Sequence, residues 1–396
     1  MEENKIMERI IQRQIKANER ILREIGKVIG DIGELTPSEA YTIAQQLKYG
    51  ESLERIIKIL AKNSHLTELD IYEMLEKEAK INLGLKKAYF DAKKIDFIPY
   101  KENASLKNLV REIAMTTIGT YRNMSMTTGL TFLDANKIPL TRPIQQAYWE
   151  IVDDAIMNVN TGKQSFWQAM TDQLETIGDA GIQSIEYESG HHRRIDSALR
   201  MNLQDGLNEL AIRQQELIGS QFGSDGWEIS VHANPADDHA DVQGHIFTNE
   251  EYNKLQTFGM AKDINGRTYD MTTKYGFRPI GELNCYHYAY SIVIGVSKPR
   301  YTEKELAKIK ETNDKGFLFE GKHYTNYQGT QLQRRIETEI RKAQETNILA
   351  KAGGDQTLIE KTERKTDMLV NKYYKLHKES NLPTRLERIK KTTKGK

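Results

Sequence analysis

Apolar residues that return every third, fourth or seventh position, with charge between them, constrain this chain more than any other feature. Ile11, Ile15, Leu22, Ile25, Ile29 and Ile32 follow such spacings, and so do Ile195, Leu199, Leu203, Leu207 and Leu210. That period traces one face of an α-helix. Only eight prolines occur in 396 residues, so Pro99, Pro139 and Pro143 act as boundaries. The pattern predicts helix over most of the first two hundred residues. A first segment closes at Gly30 and Gly33. Thr36-Pro37-Ser38-Glu39 restarts it, because Thr36 can accept from an orphan backbone N–H, Pro37 suits a first turn and Glu39 reaches back. Further helices are expected around 52–62, 67–80, 83–94 and 105–118, then over 144–158. Gly178 to Gly190 is a break, and a long helix should run from His191 to Ile218.

After Gly219 the texture changes. Trp227-Glu228-Ile229-Ser230-Val231 alternates as a strand does. Thr248 and Glu251 form a capping box for a short helix through Leu255. Asn265-Gly266 signals a hairpin in which both turn residues are expected at positive φ. Residues 288–296, rich in β-branched and aromatic side chains, suggest a central strand. Thr302 and Glu305 cap a further helix, and Glu320-Gly321 interrupts a second hairpin. Leu332, Ile336 and Ile340 mark a charged helix ended by Gly353-Gly354-Asp355, and another runs from Leu358 to Leu376. Their narrow apolar stripes suit docking on a partner or on their own domain. The expected fold class is therefore α+β: an extended, mainly helical N-terminal region, a small α+β module with short antiparallel strands, and C-terminal helices. The expected domains are a helical arm (1–180), a long connecting helix (181–219), the α+β module (220–330), and C-terminal helices with a basic tail (331–396).

Composition narrows the function. Lys+Arg 57 against Asp+Glu 56 leaves a net charge of +1, which excludes a globally basic nucleic-acid coat and a long acidic tail. No stretch approaches the roughly 18–20 consecutive apolar residues that span a bilayer, and the charged start lacks the apolar core of a signal peptide. A single cysteine, Cys285, excludes an internal disulfide framework and a Cys-only zinc site, and suits a reducing cytoplasm.

The densest group of reactive side chains lies in the module. The stretch from His232 to His245 offers three imidazoles and three carboxylates within fourteen residues, and Asn284-Cys285-Tyr286-His287 follows. Imidazole, thiolate and carboxylate are zinc ligands at neutral pH, so His232, His239, Cys285 and His287 are the metal candidates. The competing reading is a structural lock in which His232, Asp238, His239, Gln243, Gly244, Asn284, Cys285 and His287 hydrogen-bond one another and hold a long loop against the sheet; it favours no cofactor. A Cys285 nucleophile paired with His232, His239 or His287 is a further enzymatic possibility. No Gly-x-Ser-x-Gly elbow, phosphate-binding Gly-rich loop or His-Glu-x-x-His motif accompanies it. His191-His192-Arg193-Arg194 places positive charge at a helix start, against the dipole, which fits either a solvated end or contact with an acidic partner or DNA. The tail offers Arg385, Arg388, Lys390, Lys391, Lys394 and Lys396 as candidate DNA-phosphate contacts.

Several motifs occur in one order. Arg193 to Asn202 leads into Asp225-Gly226-Trp227-Glu228-Ile229-Ser230-Val231-His232-Ala233-Asn234-Pro235, then Asp238-His239 and Gln243-Gly244. Arg278-Pro279-Ile280-Gly281-Glu282-Leu283-Asn284-Cys285, Gly295 to Pro299, Phe319 to Tyr324 and Gln328 to Arg334 follow. From about residue 180 onward, this string resembles the minor capsid proteins encoded beside the portal gene in tailed phages and prophages of Gram-positive bacteria. It is distantly similar to the head-morphogenesis proteins of Mu-like phages. It departs at Tyr286, where relatives usually carry arginine. The resemblance implies a low-copy structural component of the virion, made in the host cytoplasm and located at the portal vertex or capsid interior. Its implied partners are portal protein and major capsid or scaffold protein, with packaged DNA as a further contact and no membrane. Its implied role is head assembly or DNA packaging and ejection, as a protein without catalytic residues that is compatible with a low-copy oligomer. The alternative is a metal-dependent nuclease or toxin-like effector delivered with phage DNA.

Overall fold

The computed structural model describes residues 2–33, 43–134, 136–161, 166–185, 192–272, 276–282, 285–380 and 382–389. The expected restart at Thr36 to Glu39 lies outside them. The helices are α1 (Glu2–Gly33), α2 (Ile43–Lys93), α3 (Ala104–Met126), α4 (Ile144–Thr161), α5 (Phe166–Ala180), α6 (Ile195–Gln221), α7 (Asn249–Phe258), α8 (Glu303–Lys315), α9 (Asn326–Gly353) and α10 (Gln356–Glu379). The strands are β1 (Thr128–Leu133), β2 (Pro139–Pro143), β3 (Gln183–Ile185), β4 (His192–Arg194), β5 (Gly226–Ile229), β6 (Ile246–Thr248), β7 (Met260–Lys262), β8 (Thr268–Asp270), β9 (Ala289–Ile292), β10 (Phe317–Phe319) and β11 (Lys322–Tyr324). The fold is α+β, with small antiparallel sheets beside dominant helix.

Two compact units divide the chain. One comprises Met1–Met7, Glu68–Thr120 and Arg200–Thr330; the other comprises Glu8–Thr67, Tyr121–Leu199 and Gln331–Lys396.

In the second unit, the stripe read from the sequence is a core. Ile21, Leu22, Ile25, Ile29 and Ile32 of α1 bury with Tyr49 and Ile56 of α2, Tyr148 of α4, Leu174 of α5 and Leu349 of α9. The apolar face of α1 is thus consumed within the unit. A four-stranded sheet, order β2-β1-β3-β4, fills gaps between the expected helices, and only β4 replaces a stretch expected as helix. Pro139 and Pro143 sit in edge strand β2, where a missing N–H disturbs no second neighbour. His192 to Arg194 form β4 against β3, so α6 begins only at Ile195. Arg194 is not a helix-end cation facing water: its side chain is 10% exposed and pairs with Glu345 and, at 3.7 Å, with Asp196. Asp196 also binds Arg341.

In the first unit, α6 and the sheet β6-β5-β9 frame the module. The segments expected at 67–80 and 83–94 are parts of one helix, α2, because Ile81-Asn82 supplies no breaker and a helix tolerates Gly84 at about 1 kcal/mol. Strand β5 is central and fully buried, whereas β9 is shorter than the expected 288–296 and lies at an edge. Trp227 of β5 stacks on Tyr252 of α7 at 4.8 Å, over a core that includes Ile229, Phe247, Leu255 and Ala289. Thr302 caps its helix in a full capping box, whereas only half of the box expected at Thr248 forms, because the Glu251 carboxylate accepts from the Lys262 N–H instead of reaching back. Both hairpins form. At the first, only Gly266 takes positive φ, and the Asp263 carboxylate holds the turn by accepting from the N–H groups of Asn265 and Arg267. The positive-φ pair occurs instead at Glu320-Gly321.

Candidate functional site

The loop after β5 folds back on itself before entering β6. Gly244 donates its N–H to the Ile229 carbonyl at 2.9 Å and adopts φ +76°, and a Cβ there would collide with Leu306. Only glycine meets both demands. This return places His239 and Gln243 inside the module, 0% and 4% exposed. From the other side comes the segment leading into β9, where Cys285 and His287 point inward and Tyr286 outward, the alternation of an extended chain. Asn208 of α6 anchors that segment, donating to the carbonyls of Gly281 at 3.0 Å and Cys285 at 2.7 Å.

The ligand atoms of His239, Cys285 and His287 lie within 4.8 Å of one another. Cys285 Sγ is 3.2 Å from His239 Nδ1 and 3.5 Å from His287 Nδ1, and it accepts from the His287 backbone N–H at 3.3 Å. The outer nitrogens face oxygen acceptors. His239 Nε2 meets the Arg278 carbonyl at 2.9 Å, and His287 Nε2 meets Gln243 Oε1 at 3.3 Å. Gln243 Oε1 also accepts from the His232 backbone N–H at 3.2 Å, which fixes the amide's orientation. Arg278 grips Asp238 through two bonds of 2.9 and 2.7 Å, tying the loop to the segment that carries the carbonyl. His232 is half-buried, its ring 4.2 Å from that of His287.

Burial sets the protonation of this group. Loss of water pushes His287 down to about 2, with neighbouring imidazoles adding to the effect, and His232 down to about 4. It lowers His239 as well, and raises the Cys285 thiol. The imidazoles are neutral at pH 7 and the thiol lacks the imidazolium that would activate it as a nucleophile.

The structure thus gathers His239, Cys285, His287, Gln243 and Asp238, with His232 alongside and Gly244 shaping the loop. Asn284 lies outside the described residues. Asn208 and Arg278 belong to the same arrangement. Arg278 stood in an ordered motif without an assigned role. Asn208 carried one weak signal, an amide beside Leu207 in an apolar stripe.

With this geometry in view, a comparison of the sequence with known families is decisive: residues 4–375 match phage minor capsid protein 2. The chain belongs to that family. As a phage minor capsid protein it is a structural component of the capsid, a protein that works among other phage structural proteins. The match begins at residue 4 and not near 180, so the helical first half is part of the family's pattern and not an unrelated arm. No curated protein and no solved structure matches the chain. Among the described residues, no helix is long and apolar enough to cross a membrane. In this minor capsid protein, Arg385 and Arg388 turn inward to Glu337, at 3.2 and 3.4 Å, and Glu337 is 2% exposed. Lys390, Lys391, Lys394 and Lys396 lie outside the described residues.

Proposed function

We propose that this minor capsid protein occupies the portal vertex or capsid interior in low copy, bound to portal protein and to major capsid or scaffold protein, where it supports head assembly or the packaging and ejection of DNA. The family match across 4–375 carries this reading. A net charge of +1 fits a protein that docks on protein and does not condense DNA. Since α1 spends its stripe internally, docking falls to apolar groups left outside. Ile81 and Leu85 of α2 are 40% and 73% exposed and flank a cleft of about 480 Å³ bounded also by Lys86, Gln215 and Tyr290. Contiguous exposed apolar groups at a concave surface favour a protein partner.

Reading the chain as a metal-dependent nuclease or toxin-like effector has less support. Hydrolysis needs a coordination position that a phosphodiester reaches, and His239, Cys285 and His287 are 0%, 2% and 1% exposed. Purified heads should yield the chain together with portal protein, and Leu85→Asp should reduce its incorporation while leaving the melting temperature of the isolated protein unchanged. A chain recovered only free from infected cytoplasm, with none in heads, overturns the reading.

A further inference from the structure

A count of protons at the buried cluster comes out one short. The Arg278 carbonyl can only accept, so His239 Nε2 carries hydrogen. Gln243 Oε1 already accepts from a backbone N–H, so His287 Nε2 carries hydrogen too. A neutral imidazole protonated at Nε2 offers a bare lone pair at Nδ1. Both Nδ1 atoms face the same sulfur, and a thiol has one hydrogen to give. One lone pair therefore stays unsatisfied in a site where all three residues are at most 2% exposed, an arrangement native interiors avoid.

We propose that His239, Cys285 and His287 form a structural site for a divalent cation of the zinc class, held by both Nδ1 atoms and the Cys285 thiolate. The cation accepts all three lone pairs at once. On binding, the thiol proton leaves to solvent, a sulfur–metal and two nitrogen–metal bonds form, and no electron is transferred. Tetrahedral bonds of about 2.3 Å to sulfur and 2.0–2.1 Å to nitrogen place sulfur about 3.5 Å from each nitrogen. The observed separations, 3.2 and 3.5 Å, are close to that spacing. The outer bonds from both Nε2 atoms to oxygen acceptors are those that orient metal-bound histidines, and the His287 N–H directed at Sγ is suited to a thiolate ligand. Such a site ties the loop after β5 to the segment entering β9, joining the two flanks of the module. The inference does not depend on the capsid role.

The untagged full chain, produced in zinc-supplemented medium and purified without chelator, is analysed for bound metal. About one zinc per chain is expected, with less than about a tenth of that in the double variant Cys285→Ser/His239→Ala. His323→Ala, at an exposed imidazole bonded to the Lys315 carbonyl, should load as the parent does. Zinc-free parent protein overturns the proposal, and so does a double variant that loads fully. Because the double variant can lose its fold, cobalt(II) is also added to the stripped parent chain. A near-ultraviolet thiolate-to-cobalt charge-transfer band is expected, and its absence overturns thiolate ligation whatever the variant does.

Discussion

Glu19 lies on α1 with its carboxyl largely withdrawn from water. Burial raises its pKa from 4.5 to about 7, with Glu345 adding to the rise and Arg23 opposing it. Between those values the folded protein holds a proton that the unfolded chain releases, so stability falls as pH rises from 4.5 to about 7 and stays reduced above it. Glu19→Gln should therefore leave the melting temperature near that of the parent at pH 4 and exceed it above pH 7; a constant difference across that range would refute the linkage. Asp196 sits instead between two cations. Paired with Arg341 and Arg194 and 3% exposed, it neutralises cations that burial already disfavours, Arg341 being pushed down to about 10. Asp196→Asn leaves that charge without its counter-ion and should cost about 3–5 kcal/mol in denaturant unfolding. The sequence offered Arg194 only as one cation in a run of four polar residues, because its partner Glu345 stands 151 positions away. The same limit separates two parts of the candidate site. His239, Cys285 and His287 were visible by residue type. Asn208 and the bond from the Arg278 carbonyl required the fold, since an amide on a helix and a backbone oxygen carry no chemical label in a sequence.

At the scale of elements, local signals were legible and long-range pairings were not. Thr248, Thr302, Glu320-Gly321 and the Gly353-Gly354-Asp355 stop act through bonds a few residues long, and each appears where the sequence places it. The sheet of β1 to β4 depends on Thr128 and Gly129 meeting Gln183 and Ser184 across two intervening helices. Strands of three to six residues are too short to show alternation against a helical background. Gly30 teaches a related lesson. Its place near the end of α1 suggested a terminator, yet it lies inside the helix, where an added Cβ would stand 2.7 Å from the Gly353 carbonyl oxygen and 2.8 Å from Gly353 Cα on α9. Gly26, one turn earlier, faces Leu349 and Ala352 in the same manner. The two backbones touch directly, and no flexible side chain is present to yield. Gly30→Ala gains helix propensity of up to about 1 kcal/mol but must separate α1 from α9. A net loss of about 1–3 kcal/mol is expected from overpacking, read as a lower denaturation midpoint. Gly84→Ala on α2, with nothing within 4 Å, should be neutral or stabilising.

For the whole molecule, the charge balance decides how DNA can be met. A net charge of +1 supplies almost no long-range attraction to a polyanion, so any DNA contact must come from a local basic segment. Six basic residues end the chain, but Arg385 and Arg388 already oppose the buried Glu337, and Arg385 also donates its backbone N–H to the Tyr373 hydroxyl at 2.9 Å. Turning them outward would leave a carboxylate 2% exposed without its cations, a loss that one phosphate contact each does not offset. Any phosphate binding through this tail would then fall to Lys390, Lys391, Lys394 and Lys396. Four contacts limit the slope of log affinity against log salt to about −4 on duplex DNA. Truncation after Ile389 should abolish that slope and leave the melting temperature unchanged. Arg385→Gln/Arg388→Gln should do the reverse, keeping the slope and lowering the melting temperature. Fluorescence anisotropy on short duplexes across a salt series separates the two outcomes. A slope that survives truncation, or one that falls with the arginine pair, would mean that DNA meets a different surface of this protein.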